Sequence, residues 1–139
     1  MRFFFDNDLP EKLAAAMCLL DVDGKVEHLR KTFAQDAKDE EWLEYVGKEA
    51  LVLITRDKKI RKRPTQRAEY KRHKVGAFIL TGKNLGRWRE IKQLICAWEA
   101  IRELAEITQR PFAFEVPPRG KIRRKTSQWI YSLPPWPSP

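Results

Sequence analysis

Three aspartates, Asp6, Asp39 and Asp57, are the residues of this chain whose type and position could do chemistry. Asp6 directly follows the apolar run Phe3–Phe5, and Asp57 follows the run Leu51–Thr55 after one intervening residue. Both runs are typical of buried parallel strands, and neighbouring parallel strands bring their carboxyl ends together in one crevice. Clustered carboxylates need a hard cation to offset their charge, and oxygen-only ligation suits Mg²⁺ or Mn²⁺. The three aspartates therefore predict a metal site.

Other oxygen-bearing side chains lie beside these aspartates and could complete the site. Asp8, Glu40 and Glu41 are further candidate metal ligands, although successive helical residues point in different directions. Asn7 and Thr55 are candidates to orient a ligating carboxylate or a water from behind it.

Each aspartate also has a purely structural interpretation. Asp6 or Asp8 could cap the helix that begins near Pro10. Asp39 could be the N-cap of the helix that it opens, and Asp57 could lie in a surface turn. These interpretations compete with the metal site until the fold is known.

The charge of the chain points to a polyanionic partner. Lys and Arg total 28 against 19 acidic residues, so the net charge is +9. Such a balance fits nucleic acid, although a basic surface can also serve solubility alone. The basic stretch begins beside Asp57, so its side chains could guide a phosphate backbone toward the acids: Arg56, Lys58, Lys59, Arg61, Lys62 and Arg63. Acids and bases together predict a metal-dependent nuclease.

Alternating strands and helices predict how these residues are positioned. Strands are expected over residues 2–6, 26–29, 51–55, 77–81 and 112–116, with residues 121–124 pairing beside the last. Helices are expected over about residues 10–20, from Asp39 onward, and over about residues 87–108. This alternation is typical of an α/β fold with a central, mainly parallel sheet.

Composition also predicts the state of the cysteines, the cellular location and the domain organisation. Cys18 and Cys96 lie in helical apolar patterns and are expected to be buried free thiols. The apolar runs are too short for a membrane span and no signal segment precedes Phe3, so a cytoplasmic location is the expectation. We expect one domain over residues 1–125 and an extended Pro/Trp-rich tail over residues 126–139.

Three motifs together resemble the PIN-like nucleases, and most closely the small VapC-like toxins. They are residues 4–10 (Phe-Phe-Asp-Asn-Asp-Leu-Pro), residues 39–43 (Asp-Glu-Glu-Trp-Leu) and residues 54–57 (Ile-Thr-Arg-Asp). The resemblance implies a three-layer α/β/α fold and an endoribonuclease that uses Mg²⁺ or Mn²⁺. It also implies RNA as the substrate and a cognate antitoxin protein as the partner, and it allows a homodimer.

Carried over residue by residue, the resemblance assigns one acid to each motif. Asp6 matches the acid after the first strand, Asp39 the acid at the helix start, and Asp57 the acid of the Thr-x-Asp motif. Many PIN domains have a further acid later in the chain, and no residue after position 81 matches it here.

Two other functions compete with the nuclease. One is a PIN-like module that binds nucleic acid without cleaving it. The other is a receiver-like signalling domain, because such domains also place acids after their first and third strands and a Thr after the fourth, as Thr81 does here. The strong basicity and the absence of a Lys after the fifth strand argue against the receiver.

Overall fold

Parallel strands form the centre of the protein. The computed structural model describes residues 1–20, 25–57, 63–119 and 122–124. The strands in these parts of the chain are β1 (Arg2–Phe5), β2 (Lys25–His28), β3 (Val52–Thr55), β4 (Gly76–Leu80), β5 (Phe112–Val116) and β6 (Arg123–Arg124). They form one sheet in the order β2-β1-β3-β4-β5-β6. The first five are parallel, and β6 runs antiparallel to β5, which confirms the predicted sheet.

Helices cover both faces of this sheet. Within the described residues they are α1 (Glu11–Leu20), α2 (Leu29–Thr32), α3 (Asp39–Lys48), α4 (Pro64–Arg72) and α5 (Arg87–Ile107). Successive strand residues point to opposite faces, so Phe3 and Phe5 pack with α1 and α5, whereas Phe4 packs with α2, α3 and α4. The result is a three-layer α/β/α fold, as the resemblance to the PIN-like nucleases implies.

The basic stretch contains a helix that the sequence pattern does not predict. Helix α4 begins at Pro64, where a proline is tolerated because the first N–H groups of a helix have no partner. Tyr70 is its one fully buried residue, so it lacks the apolar repeat from which helices are recognised. The second strand also ends earlier than predicted, because Leu29 already begins the short helix α2.

Helices α3 and α4 approach closely at a glycine. A Cβ atom on Gly47 would lie 2.0 Å from the carbonyl oxygen of His73, so only glycine fits there. This contact fixes α3 beside α4 and thereby sets the position of Asp39 at the start of α3.

The predicted burial of the cysteines is wrong. Cys18 and Cys96 are both exposed. Cys18 lies near the end of α1, beside the exposed Leu19 and Leu20, where the helix extends past the core. Its thiol donates a hydrogen bond to the carbonyl of Val26 at 3.0 Å.

The predicted Pro/Trp-rich tail over residues 126–139 lies outside the described residues, as do four of the six residues of the predicted basic contact, Lys58, Lys59, Arg61 and Lys62. In the parts of the chain that the structure describes, no helix combines the length and the apolar character of a membrane span.

Candidate functional site

The carboxyl edge of the sheet carries two of the predicted aspartates. Asp6 directly follows β1, and Asp57 lies two residues beyond the end of β3. These strands are hydrogen-bonded neighbours, with Phe5 opposite Ile54, and the strand order reverses between them. Open α/β sheets form their ligand crevices at such reversal points. Asp6 and Asp57 therefore flank the position where this fold is expected to bind a ligand.

Thr55 joins the two aspartates through its hydroxyl group. The hydroxyl donates a short hydrogen bond to Oδ2 of Asp6. It also accepts a hydrogen bond from the backbone N–H of Asp57 at 3.0 Å. Oδ1 of Asp6 accepts a further bond from the backbone N–H of Asp8, also at 3.0 Å. These contacts fix the Asp6 carboxylate and the turn that carries Asp57 relative to each other.

Asp6 is buried in a way that disfavours its charge. Only 5% of the residue is exposed, and burial is the largest reason why its pKa is raised from 3.8 to about 7. The charges of Asp8 and Asp57 raise this pKa further, whereas the hydrogen bonds from Thr55 and Asp8 lower it. A carboxylate in this position is strongly stabilised by a nearby cation.

The raised pKa of Tyr70 shows which other acids lie near Asp6. Its pKa is raised well above its ordinary value, first by burial and then by the carboxylates of Asp6, Asp57, Asp39 and Asp8. The phenol of α4 therefore lies within electrostatic reach of all four acids. This brings the exposed Asp39, from the opening of α3, into the same region as the strand-end pair.

The structure corrects the predicted N-cap role of Asp39. Helix α3 has Lys38 at its N-cap position, without a side-chain capping bond, and Asp39 is already its first helical residue. Oδ1 of Asp39 instead accepts a hydrogen bond from the indole N–H of Trp42 at 3.2 Å. Its charge still lies at the positive end of the helix dipole.

The turn after Asp6 is anchored by His28. The ring Nδ1 of His28 accepts the backbone N–H of Arg30 at 3.1 Å, so its Nε2–H donates to the carbonyl of Leu9 at 2.7 Å. Asn7, a predicted supporting residue, accepts a hydrogen bond from Nε of Arg30 at 3.2 Å. His28 is thus a structural residue that fixes the loop between Asp6 and α1.

The second-tier glutamates have different surroundings. Glu40 is paired with Arg72 of α4 at 3.1 Å. Glu40, Glu69 and His73 are the group of described residues whose potential ligand atoms all lie within 4.8 Å of one another. Asp6, Asp39 and Asp57 do not form such a tight set. Glu41 is exposed on the first turn of α3.

A comparison with protein families agrees with this architecture. A family model described as "PIN like domain" matches residues 1–82, more than half of the 139-residue chain. The chain belongs to the PIN-like domain family. The matched part of this PIN-like domain runs from β1 to just beyond β4 and contains Asp6, Asp39 and Asp57. No curated protein and no solved structure matches the chain.

The donor set of this PIN-like domain fits a hard divalent cation. Asp6, Asp57, Asp39 and Asp8 offer carboxylate oxygens, which are the ligands that Mg²⁺ and Mn²⁺ prefer. Among the ion pairs between described residues, none includes the buried Asp6. A bound cation would therefore bring a positive charge close to the Asp6 carboxylate.

Two of the predicted basic contacts of the PIN-like domain are described. Arg56 points toward α5, where its Nη1 donates to Oε1 of Gln93 at 2.8 Å and its Nε lies 3.6 Å from Glu90. Its side chain is only 12% exposed. Arg63 is exposed at the N-cap position of α4.

Tyr70 and Gln93 also belong to this region, although the sequence pattern does not predict this. Tyr70 is hidden in the basic stretch, and Gln93 lies within the apolar stripe of α5. Gln93 is buried, and its amide donates to the carbonyls of Thr81 and Val116 at 2.7 and 2.8 Å. A buried polar residue in an apolar helix face is the one sequence signal that could have indicated it.

Proposed function

We propose that this PIN-like protein is a metal-dependent endoribonuclease that hydrolyses phosphodiester bonds in RNA. The observation that carries the proposal is the pair Asp6 and Asp57 at the strand-order reversal, joined through Thr55, with Asp6 buried and its pKa raised to about 7. Such a raised pKa is frequent at functional sites, because stability alone favours an exposed or paired carboxylate.

Asp6 and Asp57 would hold Mg²⁺ or Mn²⁺ together with Asp39. When bound, such a cation supplies a water of lowered pKa and offsets the charge that builds on the phosphate. The protein's own part is to bind and orient. Thr55 fixes the direction of the Asp6 carboxylate, and the parallel strands provide the rigid support.

The charge of the chain supports RNA as the substrate. The net charge of +9 favours a polyanion, and Arg63 is exposed at the start of α4. We assign the phosphate contacts of this region to Arg63 and to its neighbours Lys58, Lys59, Arg61 and Lys62, with Arg56 supporting the site from the side of α5. Phosphate contacts provide affinity and position without sequence choice.

The resemblance of the three acidic motifs to VapC-like toxins supports a biological setting. We propose that the protein acts in the cytoplasm as the toxin of a toxin–antitoxin pair, and that a cognate antitoxin, and a second copy of the chain in a homodimer, are its protein partners. Purification from cells with its neighbouring gene product tests this setting separately from the chemistry.

A non-catalytic RNA-binding module is the competing function. The spacing of the acids favours it, because the ligand atoms of Asp6, Asp39 and Asp57 do not all lie within 4.8 Å of one another. The receiver-like interpretation loses its basis, because the family is PIN-like and the hydroxyl of Thr81 donates to the carbonyl of Val116.

A substrate panel tests the proposed activity. Wild-type protein is incubated with labelled single-stranded RNA, double-stranded RNA and the matching DNA in Mg²⁺ or Mn²⁺. We expect internal cleavage of RNA, and no cleavage by Asp57→Asn, because this variant keeps the shape of the side chain but removes its charge. RNA binding without cleavage by the wild type would support the non-catalytic module. Cleavage by Asp57→Asn at the wild-type rate would contradict the proposed site.

A further inference from the structure

A second basic surface lies at Gln93, the residue of α5 that accepts a hydrogen bond from Arg56. It is a groove of about 260 Å³ between α5 and the residues that follow β5. Three exposed cations line it, Arg89, Lys92 and Arg119, and Leu85 and Pro118 form apolar walls. No Asp or Glu is present among the described residues that line it. We call this surface the α5 groove.

The α5 groove is connected to the candidate site through Gln93. This residue lines the groove, and its Oε1 accepts the hydrogen bond from Arg56, the residue that precedes Asp57. Its amide nitrogen donates to the carbonyls at the carboxyl ends of β4 and β5. The groove and the acids therefore occupy adjoining parts of one sheet edge, and a ligand extended along that edge reaches both.

An exposed aromatic side chain lies on the same helix as two of these cations. Trp88 has a large aromatic side chain, and yet 81% of the residue is exposed. It precedes Lys92 by four residues on α5, so both lie on the same side of the helix. Exposed aromatics next to a cationic groove are the usual platform for unpaired bases, because every base has a face that can stack.

We propose that the α5 groove binds single-stranded RNA next to the cleaved bond. Arg89, Lys92 and Arg119 contact successive phosphates, and Trp88 stacks on a base. This assignment rests on the proposed function, since it places the groove on the path of the same substrate. It adds a binding surface formed by α5 and by the residues that follow β5. Single-stranded rather than duplex RNA is favoured because stacking on Trp88 requires an unpaired base.

Charge neutralisation tests the phosphate contacts. Affinity for a fluorescein-labelled, unstructured RNA is measured by anisotropy over a salt series, with EDTA present to prevent cleavage. The variant Arg89→Gln/Lys92→Gln/Arg119→Gln is expected to bind more weakly. Its slope of log affinity against log salt should fall by about 2, because each phosphate contact on a single strand contributes about 0.7. The side chains are exposed, so the fold is expected to survive.

A matched triple variant controls for the loss of charge. Lys25, Lys48 and Lys74 are exposed: Lys25 begins β2, Lys48 ends the helix that leads into β3, and Lys74 precedes β4, so all three lie near the amino ends of the strands, away from the acids. Replacing all of them with Gln removes the same charge as the groove variant. We expect this control to change the salt slope by less than half as much as the groove variant. Equal effects of the two variants would mean that only the net charge matters, and would overturn the proposal.

Substitution of Trp88 tests the stacking contact independently. Trp88→Ala is expected to weaken RNA binding about tenfold, the ordinary effect of losing one base–aromatic stack, without changing the salt slope. Trp88→Tyr keeps an aromatic face and should retain most of the affinity. Equal losses in both variants, or none in either, would contradict a stacking role.

The outcomes separate this inference from the proposed function. A wild type that cleaves RNA while the groove variants bind and cleave equally well overturns the groove assignment alone. A wild type that neither binds nor cleaves RNA contradicts both. Polyglutamate serves as an acidic-protein probe: if the groove variant loses polyglutamate binding but keeps RNA binding, the groove belongs to an acidic protein partner and the RNA assignment is wrong.

Discussion

Replacing Asp6 with asparagine is expected to reduce RNA cleavage by at least about 100-fold, because a metal ligand contributes several kcal/mol to stabilising the transition state. Asp6 is the buried acid of the site, and its carboxylate is fixed by bonds from Thr55 and Asp8. Asparagine preserves the size of the side chain but cannot carry the negative charge. The measurement is the single-turnover cleavage rate at saturating protein in Mg²⁺.

Asp36→Asn is the matched control for this loss. Asp36 is exposed in the segment before α3 and carries the same charge, so its replacement should leave the rate within about twofold of the wild type. RNA affinity should stay measurable in Asp6→Asn, because Asp6 is not among the residues proposed to contact phosphates. A cleavage rate in Asp6→Asn close to that of Asp36→Asn would remove Asp6 from the site.

The second large effect concerns stability in the absence of metal. The folded protein holds the Asp6 proton with a pKa of about 7, against about 3.8 in the unfolded chain. The folded state therefore binds more protons between these values, and the stability contributed by protonated Asp6 is lost as the pH rises toward 7. Asn cannot ionise, so Asp6→Asn should escape this loss. Its unfolding free energy relative to wild type should increase by about 2–3 kcal/mol between about pH 5 and about pH 8.

Urea unfolding in EDTA measures this difference directly, with Asp36→Asn as the control that should follow the wild type at both pH values. Adding Mg²⁺ should then stabilise the wild type at the higher pH, because a ligand that binds only the folded state raises the unfolding free energy. Asp6→Asn should gain much less. A difference between wild type and Asp6→Asn that stays constant with pH would mean that Asp6 is not a strained, buried acid.

The sheet could be predicted because each strand is a short apolar run followed by polar residues. Each strand end is marked by an acid: Asp6 follows Phe3–Phe5, and Asp57 follows Leu51–Thr55. Two acids at the carboxyl ends of adjacent parallel strands are enough to predict that they meet at one edge of the sheet. Helix α4 could not be predicted in the same way, because only Tyr70 of its residues is fully buried and its packing against α3 near Gly47 brings together distant parts of the chain.

The contacts that support the site could not be predicted from the sequence for a related reason. Gln93 meets Arg56 across 37 positions of the chain, and this pairing exists only because α5 crosses the ends of β4 and β5. Glu40 could not be separated from Asp39 by position alone, since both lie in the first turn of α3. In the structure Glu40 forms an ion pair with Arg72, whereas Asp39 is one of the acids that raise the pKa of Tyr70.

Metal dependence of cleavage is the most direct test of the central claim that these acids form the site of a metal-dependent ribonuclease. The protein is stripped with EDTA, and the cleavage rate of one labelled single-stranded RNA is followed while Mg²⁺ is added back in excess. We expect no cleavage by the stripped protein, full recovery with added Mg²⁺, and no recovery in Asp6→Asn or Asp57→Asn. Cleavage in EDTA at the rate seen in Mg²⁺, or equal recovery in these variants, would contradict it.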